Sequence, residues 1–237
     1  MIDYQAAFRK PFTDHKKLLI GILLSMVPIL NWFAKGFILE SSGLGRTKPT
    51  KNMPEWKPMG ELFIKGLMAT VISVMYMLPA TLIFVYGASM TIMGLLFEYL
   101  GKVVPIEAVQ GLAHGNVDVD TIMPTILNNW PLAVPHIIKF VPILMLAALF
   151  GLAAKFMLPI AILSYLKSGQ LADAFRFGEV FRKAFTANYF VVWLAVAAVT
   201  AIISLLLSII PLVGPAAAYF FCGVFSYTVF GQVYKEV

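Results

Sequence analysis

The residue types that carry catalysis or bind metal ions are few and dispersed in this sequence. The three histidines (His15, His114 and His136) lack the close spacing of a metal site. Ser42-Gly-Leu-Gly-Arg46 has glycines, but neither the spacing nor the lysine of a phosphate-binding loop. Neither Gly-x-Ser-x-Gly nor His-Glu-x-x-His occurs. We therefore predict a protein that is not an enzyme, with no catalytic residues, no cofactor and no metal ion.

The composition instead indicates a protein embedded in a membrane. Of its 237 residues, 60% are hydrophobic and only 13% are charged. Soluble domains carry about 25% charged residues, so this chain has roughly half the charge that a water-facing surface needs. The net charge is +6, but the basic residues lie between apolar runs rather than on one face. Nucleic acid is therefore not an expected partner.

Four apolar runs are long enough to cross a bilayer as helices, which requires about 20 residues each. They cover residues 62–86, 137–166, 189–210 and 215–231. The last two are joined by Pro211-Leu-Val-Gly-Pro215. This link is too short for anything but a tight turn between two helices, and proline is well suited to the ends of helices. The predicted fold class is all-α, a polytopic membrane helical bundle, and the chain is predicted to form a single integral membrane domain over 1–237.

The distribution of charge predicts the topology. Lys and Arg are concentrated in residues 1–17, 35–65 and 167–188, whereas 87–131 is mainly acidic. Because cytoplasmic loops are enriched in Lys and Arg, both termini are expected in the cytoplasm, with the protein in the cytoplasmic membrane. The apolar segment 18–39 then has basic segments on both sides. We predict a re-entrant hairpin there that dips into the membrane and returns; the alternative is a kinked fifth span.

Three residues in this hairpin would form a candidate ligand region if the protein were a transporter. Pro28, Asn31 and Gly36 interrupt the apolar pattern, and a broken helix can build a substrate site from freed backbone groups. A second break at Pro79 and Gly87 would allow residues 88–100 to dip from the other side. A continuous polar cavity along the first three residues would favour this alternative. A dry, packed interior would weaken it.

A short sequence repeat links the two predicted hairpins. Phe8-Arg-Lys-Pro-Phe-Thr13 recurs as Phe181-Arg-Lys-Ala-Phe-Thr186, and Leu24-Ser-Met-Val-Pro28 recurs as Leu207-Ser-Ile-Ile-Pro211. The later copy is longer, so the earlier hairpin resembles a shortened version of a spanning one. This parallel repeat supports the dipping hairpin.

The segments 1–17 and 170–185, which lead into the hairpins, have the pattern of interfacial helices. Each combines an aromatic stripe with basic residues, which is typical of a helix lying on a membrane surface. The alternative is that both pack on the protein's own rim. Candidate contacts to lipid headgroups or the interface are Arg9, Lys10, Lys16, Lys17, Trp56, Arg176, Arg182 and Lys183.

Several short motifs, taken in order, resemble one known family. They are Pro11-Phe-Thr-Asp14, Lys16-Lys-Leu-Leu-Ile-Gly21, Leu24-Ser-Met-Val-Pro28, Gly36-Phe37, Met53-Pro-Glu-Trp56, Glu61-Leu-Phe, Gly66, Ala174-Phe-Arg-Phe-Gly-Glu179 and Phe230-Gly-Gln232. The chain resembles, over nearly its whole length, an uncharacterised prokaryotic, largely archaeal membrane-protein family catalogued only as a domain of unknown function (four-zero-one-three). Lys57 and Pro58 depart from its pattern, where acidic residues are more usual. The resemblance implies no reaction, substrate or site residues.

These features predict a non-enzymatic integral membrane component with a structural or accessory role. Its expected partners are membrane lipids, in particular anionic lipids, and either another membrane protein or a second copy of the chain in a homo-oligomer. Basic segments beside a membrane attract anionic lipid by about 1 kcal/mol per Lys or Arg. The alternative function is a small-solute or lipid transporter or channel that uses broken or re-entrant helices.

Overall fold

The computed structural model describes residues 2–45, 51–104 and 119–236, the last range without the side chains of 119–122. Helix is the regular secondary structure throughout these ranges. The α-helices are α1 (Tyr4–Arg9), α2 (His15–Ser25), α3 (Asn31–Glu40), α4 (Met59–Met93), α5 (Val119–Asn128), α6 (Val134–Ser168), α7 (Phe177–Ala184), α8 (Ala187–Leu207) and α9 (Val213–Val233). The predicted all-α class is confirmed.

Four helical stretches in the described residues are long and apolar enough to cross a membrane. They run over Met59–Val103, Trp130–Ser168, Ala187–Leu207 and Val213–Val233, and each contains most or all of one predicted span. The prediction of a polytopic membrane bundle with four long apolar helices is therefore confirmed. Such helices are compatible with an integral membrane protein.

The first of these stretches is longer than the sequence pattern predicted. Helix α4 passes through Pro79 and Gly87 without interruption and continues as a π-helical segment, Gly94–Leu100, and a final turn, Gly101–Val103. The second break considered at Pro79 and Gly87 is therefore wrong. A proline inside a membrane helix is tolerated because neighbouring groups satisfy the freed backbone carbonyl.

The chain divides into two compact units, Met1–Tyr76 with Ala154–Val237, and Met77–Ala153. In the second unit, the ring of Phe84 contacts that of Phe140 at a centroid distance of 5.9 Å. Tyr99 Oη donates to the Ile126 carbonyl at 2.6 Å. His136 Nε2 lies 3.7 Å from Glu98 Oε2. No observation tests the prediction of a single domain over 1–237, so it stays a prediction.

In the first unit, α9 is the central helix. Its most apolar window is 56% buried, compared with 11–22% for the other three candidate spans. It packs against α8, α2, α3 and α1. Phe220 and Val224 of α9 join Phe37 and Ile38 of α3 in one apolar core cluster. The sequence of α9 is apolar all round, as expected for a helix with neighbours on several sides.

The two hairpins share local geometry, as the sequence repeat suggests. Thr13 Oγ1 donates to the Lys10 carbonyl at 2.8 Å, and Thr186 Oγ1 donates to the Lys183 carbonyl at 3.1 Å. The arms differ in length: α2 and α3 have 11 and 10 residues, whereas α8 and α9 have 21 each. At 1.5 Å per residue, the short arms reach about 16 Å and the long arms about 31 Å. Only the long arms match the roughly 30 Å hydrocarbon core.

The lysine of each repeat also contacts the far end of its own hairpin. Lys10 Nζ donates to the carbonyl of Ser41, directly after α3. Lys183 Nζ lies 3.9 Å from the ring centre of Tyr234, directly after α9. Lys10 and Lys183 are 173 positions apart, whereas their contacts Ser41 and Tyr234 are 193 positions apart. The second separation is larger because each arm of the second hairpin is about ten residues longer. The lysine therefore closes the base of each hairpin.

The segment 170–185 is divided rather than one continuous helix. A 3₁₀ turn over Leu171–Phe175 is followed by Arg176, with ψ at 72°, and then by α7. An ion pair of 2.9 Å between Arg176 Nε and Asp173 Oδ1 bridges this corner. The single amphipathic helix predicted over 170–185 is therefore reduced to the eight residues of α7.

Candidate functional site

Helix α7 has two apolar faces that differ in their surroundings. Val180 and Ala184 are fully buried against the protein. Phe177, Phe181 and Phe185 point outward, and Phe181 is 52% exposed. The rings of Phe181 and Phe185 stack at 3.9 Å and form a continuous aromatic surface. One face of α7 therefore packs on the protein's own rim, as one of the two alternatives for this segment has it, and the aromatic face is left exposed.

The N-terminal segment, which leads into the short hairpin, has a similar aromatic surface that packs against α9. The ring of Phe8 contacts Phe221 at 5.4 Å, and the ring of Phe12 contacts Phe221 at 5.1 Å. Both phenylalanines remain more than one-third exposed. Together with Leu18, Ile22, Ile203, Leu206, Leu207, Ala217 and Phe221, they line an open apolar groove of about 320 Å³. A groove of this chemistry suits a hydrocarbon chain.

The predicted basic contacts fall into different environments. Arg9, Lys16 and Arg182 are exposed. Lys17 Nζ pairs with Glu55 Oε1 at 2.6 Å and lies 3.7 Å from Asp14 Oδ2. Besides pairing with Asp173, Arg176 lies 3.5 Å from Glu179, while Lys183 lies over the Tyr234 ring. Of the eight candidates, Arg9, Lys16 and Arg182 are thus the three whose exposed charge takes part in none of these ion pairs or ring contacts.

Trp56 is not an interfacial residue, which corrects the prediction. It is 9% exposed, and its ring stacks on Phe37 with 4.1 Å between centroids. The Phe220 ring lies at 6.2 Å, nearly parallel to it. The basic loop therefore contributes a core side chain. A tryptophan beside a predicted span is typical of a membrane interface, but here stacking in the core removes the indole ring from the surface.

Pro28, Asn31 and Gly36 do not converge on one site. Pro28 is exposed at the turn between α2 and α3, and Asn31 begins α3, half-buried beside Tyr219. Gly36 lies against the backbone of α4, where a Cβ built on it would be 1.9 Å from the Leu62 carbonyl oxygen. Gly36 therefore faces packed backbone rather than a cavity. The position of Gly36 therefore gives no support to a polar pathway through the hairpin.

Two lysines near this hairpin have polar partners on α4. Lys65 Nζ pairs with the carboxylate of Glu40, which is 5% exposed, and lies 4.0 Å from Glu61. Lys35 Nζ donates to Thr70 Oγ1 at 3.0 Å and lies 3.5 Å from Ser73 Oγ. These contacts attach α3 to α4 close to the end where the candidate span begins. The sequence shows Lys35 and Lys65 only as charges of the basic segment 35–65, within the predicted hairpin and at the entrance of the first predicted span, and it does not indicate these partners.

A polar pocket of about 180 Å³ lies where α1, the end of α3 and the end of α9 meet. Its lining includes Lys10, Ser41, Ser42, Lys51, Thr228 and Lys235. Lys10 is 3% exposed, and burial lowers the pKa of its ammonium from 10.5 to about 8. Only Lys10 was a sequence-based candidate. The sequence has no signal that links residues 10, 41 and 228, which only the hairpin and α9 bring together.

The ends of the described chain meet at this pocket. The backbone N–H of Asp3 donates to Gln232 Oε1 at 2.8 Å, and both residues line the pocket. The described side chains contain no group of three or more His, Cys, Asp or Glu arranged to hold a metal ion. Among the described residues, the charged side chains that line the pocket are three lysines, Lys10, Lys51 and Lys235, and one carboxylate, Asp3.

A family model covers most of the chain and decides its classification. The model for DUF4013, proteins of unknown function, matches residues 19–212. This chain belongs to the DUF4013 family. The family resemblance inferred from the motifs is confirmed, with the match extending from α2 to the turn after α8. No curated protein and no solved structure matches the sequence. The DUF4013 match itself assigns no reaction, substrate or site.

Proposed function

We propose that this DUF4013 protein is a non-enzymatic integral membrane component that contacts membrane lipid, with a preference for anionic headgroups, through the rim formed by α1 and α7. The observation that carries the proposal is the outward aromatic face of α7. Three large aromatic side chains on one exposed helical face are unfavourable in water but suit the acyl–headgroup boundary. Exposed Arg9, Lys16 and Arg182 on the lead-in segments add positive charge.

The proposed membrane is the cytoplasmic membrane, with both termini on the cytoplasmic side. The hydrogen bond between Asp3 and Gln232 supports a common side for the two chain ends. The basic segments favour the cytoplasm for that side. Helices α2 and α3 are each about half as long as a bilayer-spanning arm, which supports a dipping hairpin.

Spin labels on α7 test the lipid contact. In a Cys222→Ser background, Phe181→Cys and Glu179→Cys each take one nitroxide label, and the protein is placed in vesicles containing anionic lipid. The label at 181 is expected to collide mainly with molecular oxygen, which is apolar and concentrates in the lipid. The label at 179, on the polar face of the same helix, should collide mainly with a polar nickel complex. Power-saturation electron paramagnetic resonance measures both collision rates.

The same experiment separates lipid contact from protein contact. If the label at 181 is shielded from both relaxing agents, a protein partner or a second copy covers the aromatic face, and the lipid proposal fails. Equal accessibility of both labels to the nickel complex also contradicts it, because the aromatic face would then be in water.

Cysteine labelling tests the topology. Ile209 and Ile29 are both well exposed, near the turns of the long and short hairpins, and Gly178 has open space around it. In the Cys222→Ser background, we expect Ile209→Cys to react with an impermeant maleimide from outside intact cells. Gly178→Cys should react only after permeabilisation, and Ile29→Cys should not react from outside. Labelling of position 29 from outside would show that the first hairpin is a true crossing.

A further inference from the structure

Lys10 is a buried cation with less hydrogen bonding than its ammonium requires. Its Nζ donates to the Ser41 carbonyl at 2.8 Å, and an ammonium has three N–H donors. The ion pairs among the described residues do not include Lys10. Buried lysines are normally paired with an acid because an isolated buried charge is costly. Its remaining donors therefore need an acceptor that comes from outside the chain.

The groups around Lys10 are already committed to other contacts. The Ser41 carbonyl also accepts from Thr228 Oγ1 at 3.2 Å. Ser42 Oγ donates to the Leu39 carbonyl at 2.6 Å, within its own helix end. Asp3 Oδ1 accepts from the Ala6 N–H at 2.8 Å, as the cap of α1. The Ser41 carbonyl, the Ser42 hydroxyl and Asp3 Oδ1 therefore each have a protein partner other than Lys10.

The charge in the pocket is positive. Three lysines line it, Lys10, Lys51 and Lys235, against the one carboxylate of Asp3. Lys10 comes from the segment after α1, Lys51 from the loop after α3, and Lys235 from the chain after α9. Convergent lysines that are not neutralised by acids favour an anionic ligand. Their origin in three separate segments shows that the fold assembles this charge.

We propose that this pocket binds a phosphate-type oxyanion, either the phosphomonoester headgroup of a membrane lipid or inorganic phosphate. A phosphate has four oxygens, and liquid water occupies about 30 Å³ per oxygen, so 180 Å³ accommodates the group with a few waters. Lys10 supplies a fixed, partly desolvated cation at the base, and Lys51 and Lys235 supply two more mobile ones. The site deepens the proposed function, on which it rests, by adding one specific headgroup position to the lipid-contacting rim.

Thermal unfolding of the purified full chain in neutral detergent tests the site. Inorganic phosphate is compared with sodium chloride at equal ionic strength, and short-chain phosphatidic acid with short-chain phosphatidylcholine. We expect the phosphate-bearing ligand to raise Tm in a saturable way, since a ligand that binds only the folded state stabilises it. Saturation by phosphatidic acid alone identifies a lipid headgroup, and saturation by inorganic phosphate identifies the free ion as a sufficient ligand.

Matched variants locate the binding. Lys10→Gln is expected to weaken binding at least tenfold, whereas Lys16→Gln, which removes an exposed lysine on the next helix, should leave it unchanged. Lys51→Gln and Lys235→Gln, both at exposed positions, are each expected to weaken binding several-fold and preserve folding. They keep the test decisive if Lys10→Gln does not fold. Unaltered affinity in Lys51→Gln, Lys235→Gln and any folded Lys10→Gln overturns the site.

The pH dependence provides a second signature. The charged groups that face Lys10 in the pocket are Asp3, Lys51 and Lys235, and burial lowers the pKa of the Lys10 ammonium to about 8. Because the ligand requires the protonated ammonium, affinity should fall by up to tenfold per pH unit above about pH 8. Binding by ordinary exposed lysines would instead persist to about pH 10. A pH-independent affinity between about 8 and 10 contradicts the role of Lys10.

The outcomes separate this site from the proposed function. If neither inorganic phosphate nor phosphatidic acid raises Tm beyond its matched control, the pocket is not an anion site. The spin-label result at Phe181 does not involve this pocket. A lipid-facing label there would leave the proposed function standing without the specific headgroup site.

Discussion

Gly66→Ala is expected to destabilise the protein by about 3 kcal/mol, because the new methyl group has no space at the contact between α3 and α4. A Cβ on Gly66 would lie 1.9 Å from the Trp32 carbonyl oxygen. Gly36 makes the reciprocal contact with the Leu62 carbonyl, also at 1.9 Å. Both obstacles are backbone atoms, so relief requires the two helices to separate. The measurement is the free energy of unfolding in detergent micelles.

The same helix offers a matched control for this substitution. Gly60 is also in α4, and nothing lies within 4 Å of a Cβ built on it. Gly60→Ala should therefore be neutral or stabilising by up to about 1 kcal/mol, since alanine is a better helix former than glycine. A loss for Gly66→Ala no greater than for Gly60→Ala would show that α3 and α4 are not in backbone contact. Gly36→Ala combined with Gly66→Ala should cost less than the sum of the two, because one separation relieves both clashes.

Removal of the Glu40 carboxylate is the second change with a large expected effect. Glu40→Ala leaves Lys65 without its main partner at a largely buried position, and breaking such a pair costs about 3 kcal/mol. Glu61, at 4.0 Å from Lys65 Nζ, compensates only in part. The measurement is again the free energy of unfolding, at neutral pH.

An exposed ion pair in the same unit is the control. Glu55 pairs with Lys17 at 2.6 Å, but its side chain is largely exposed. Glu55→Ala should cost less than about 1 kcal/mol, as exposed ion pairs contribute little. The double variant Glu40→Leu with Lys65→Met should recover much of the Glu40→Ala loss, because Lys65→Met removes the buried charge that Glu40→Ala leaves without its main partner. Equal losses for Glu40→Ala and Glu55→Ala would contradict a structural role for the buried pair.

These two contacts attach the short hairpin to the long helix α4, and they bear on the transporter alternative. Gly36, one of three residues proposed to line a polar path, is closed off by the Leu62 backbone. Glu40 and Lys65 satisfy each other beside it. The geometry here is that of a fixed helix junction. The proposed ligand site is instead the Lys10 pocket, where α1 and the ends of α3 and α9 meet.

The sequence alone determined the features that depend on short stretches of chain. Helical class and the four long apolar helices follow from run length, since about 20 apolar residues suffice to cross a bilayer. The repeat of Phe-Arg-Lys with a threonine three residues after the lysine indicated equivalent hairpin entries. The matching threonine bonds to the Lys10 and Lys183 carbonyls reproduce that equivalence. Family membership was also recognisable from the order of short motifs.

Only the tertiary structure decided which of these residues are exposed, buried or paired. Trp56 is of a residue type common at membrane interfaces but stacks on Phe37, and Lys10 is of a type common at surfaces but is only 3% exposed. The structure likewise shows that α4 continues through Pro79. Periodicity and run length are local properties of the chain. The Lys10 pocket joins residues separated by 31 and 187 positions, and that proximity arises only when the hairpins pack around α9.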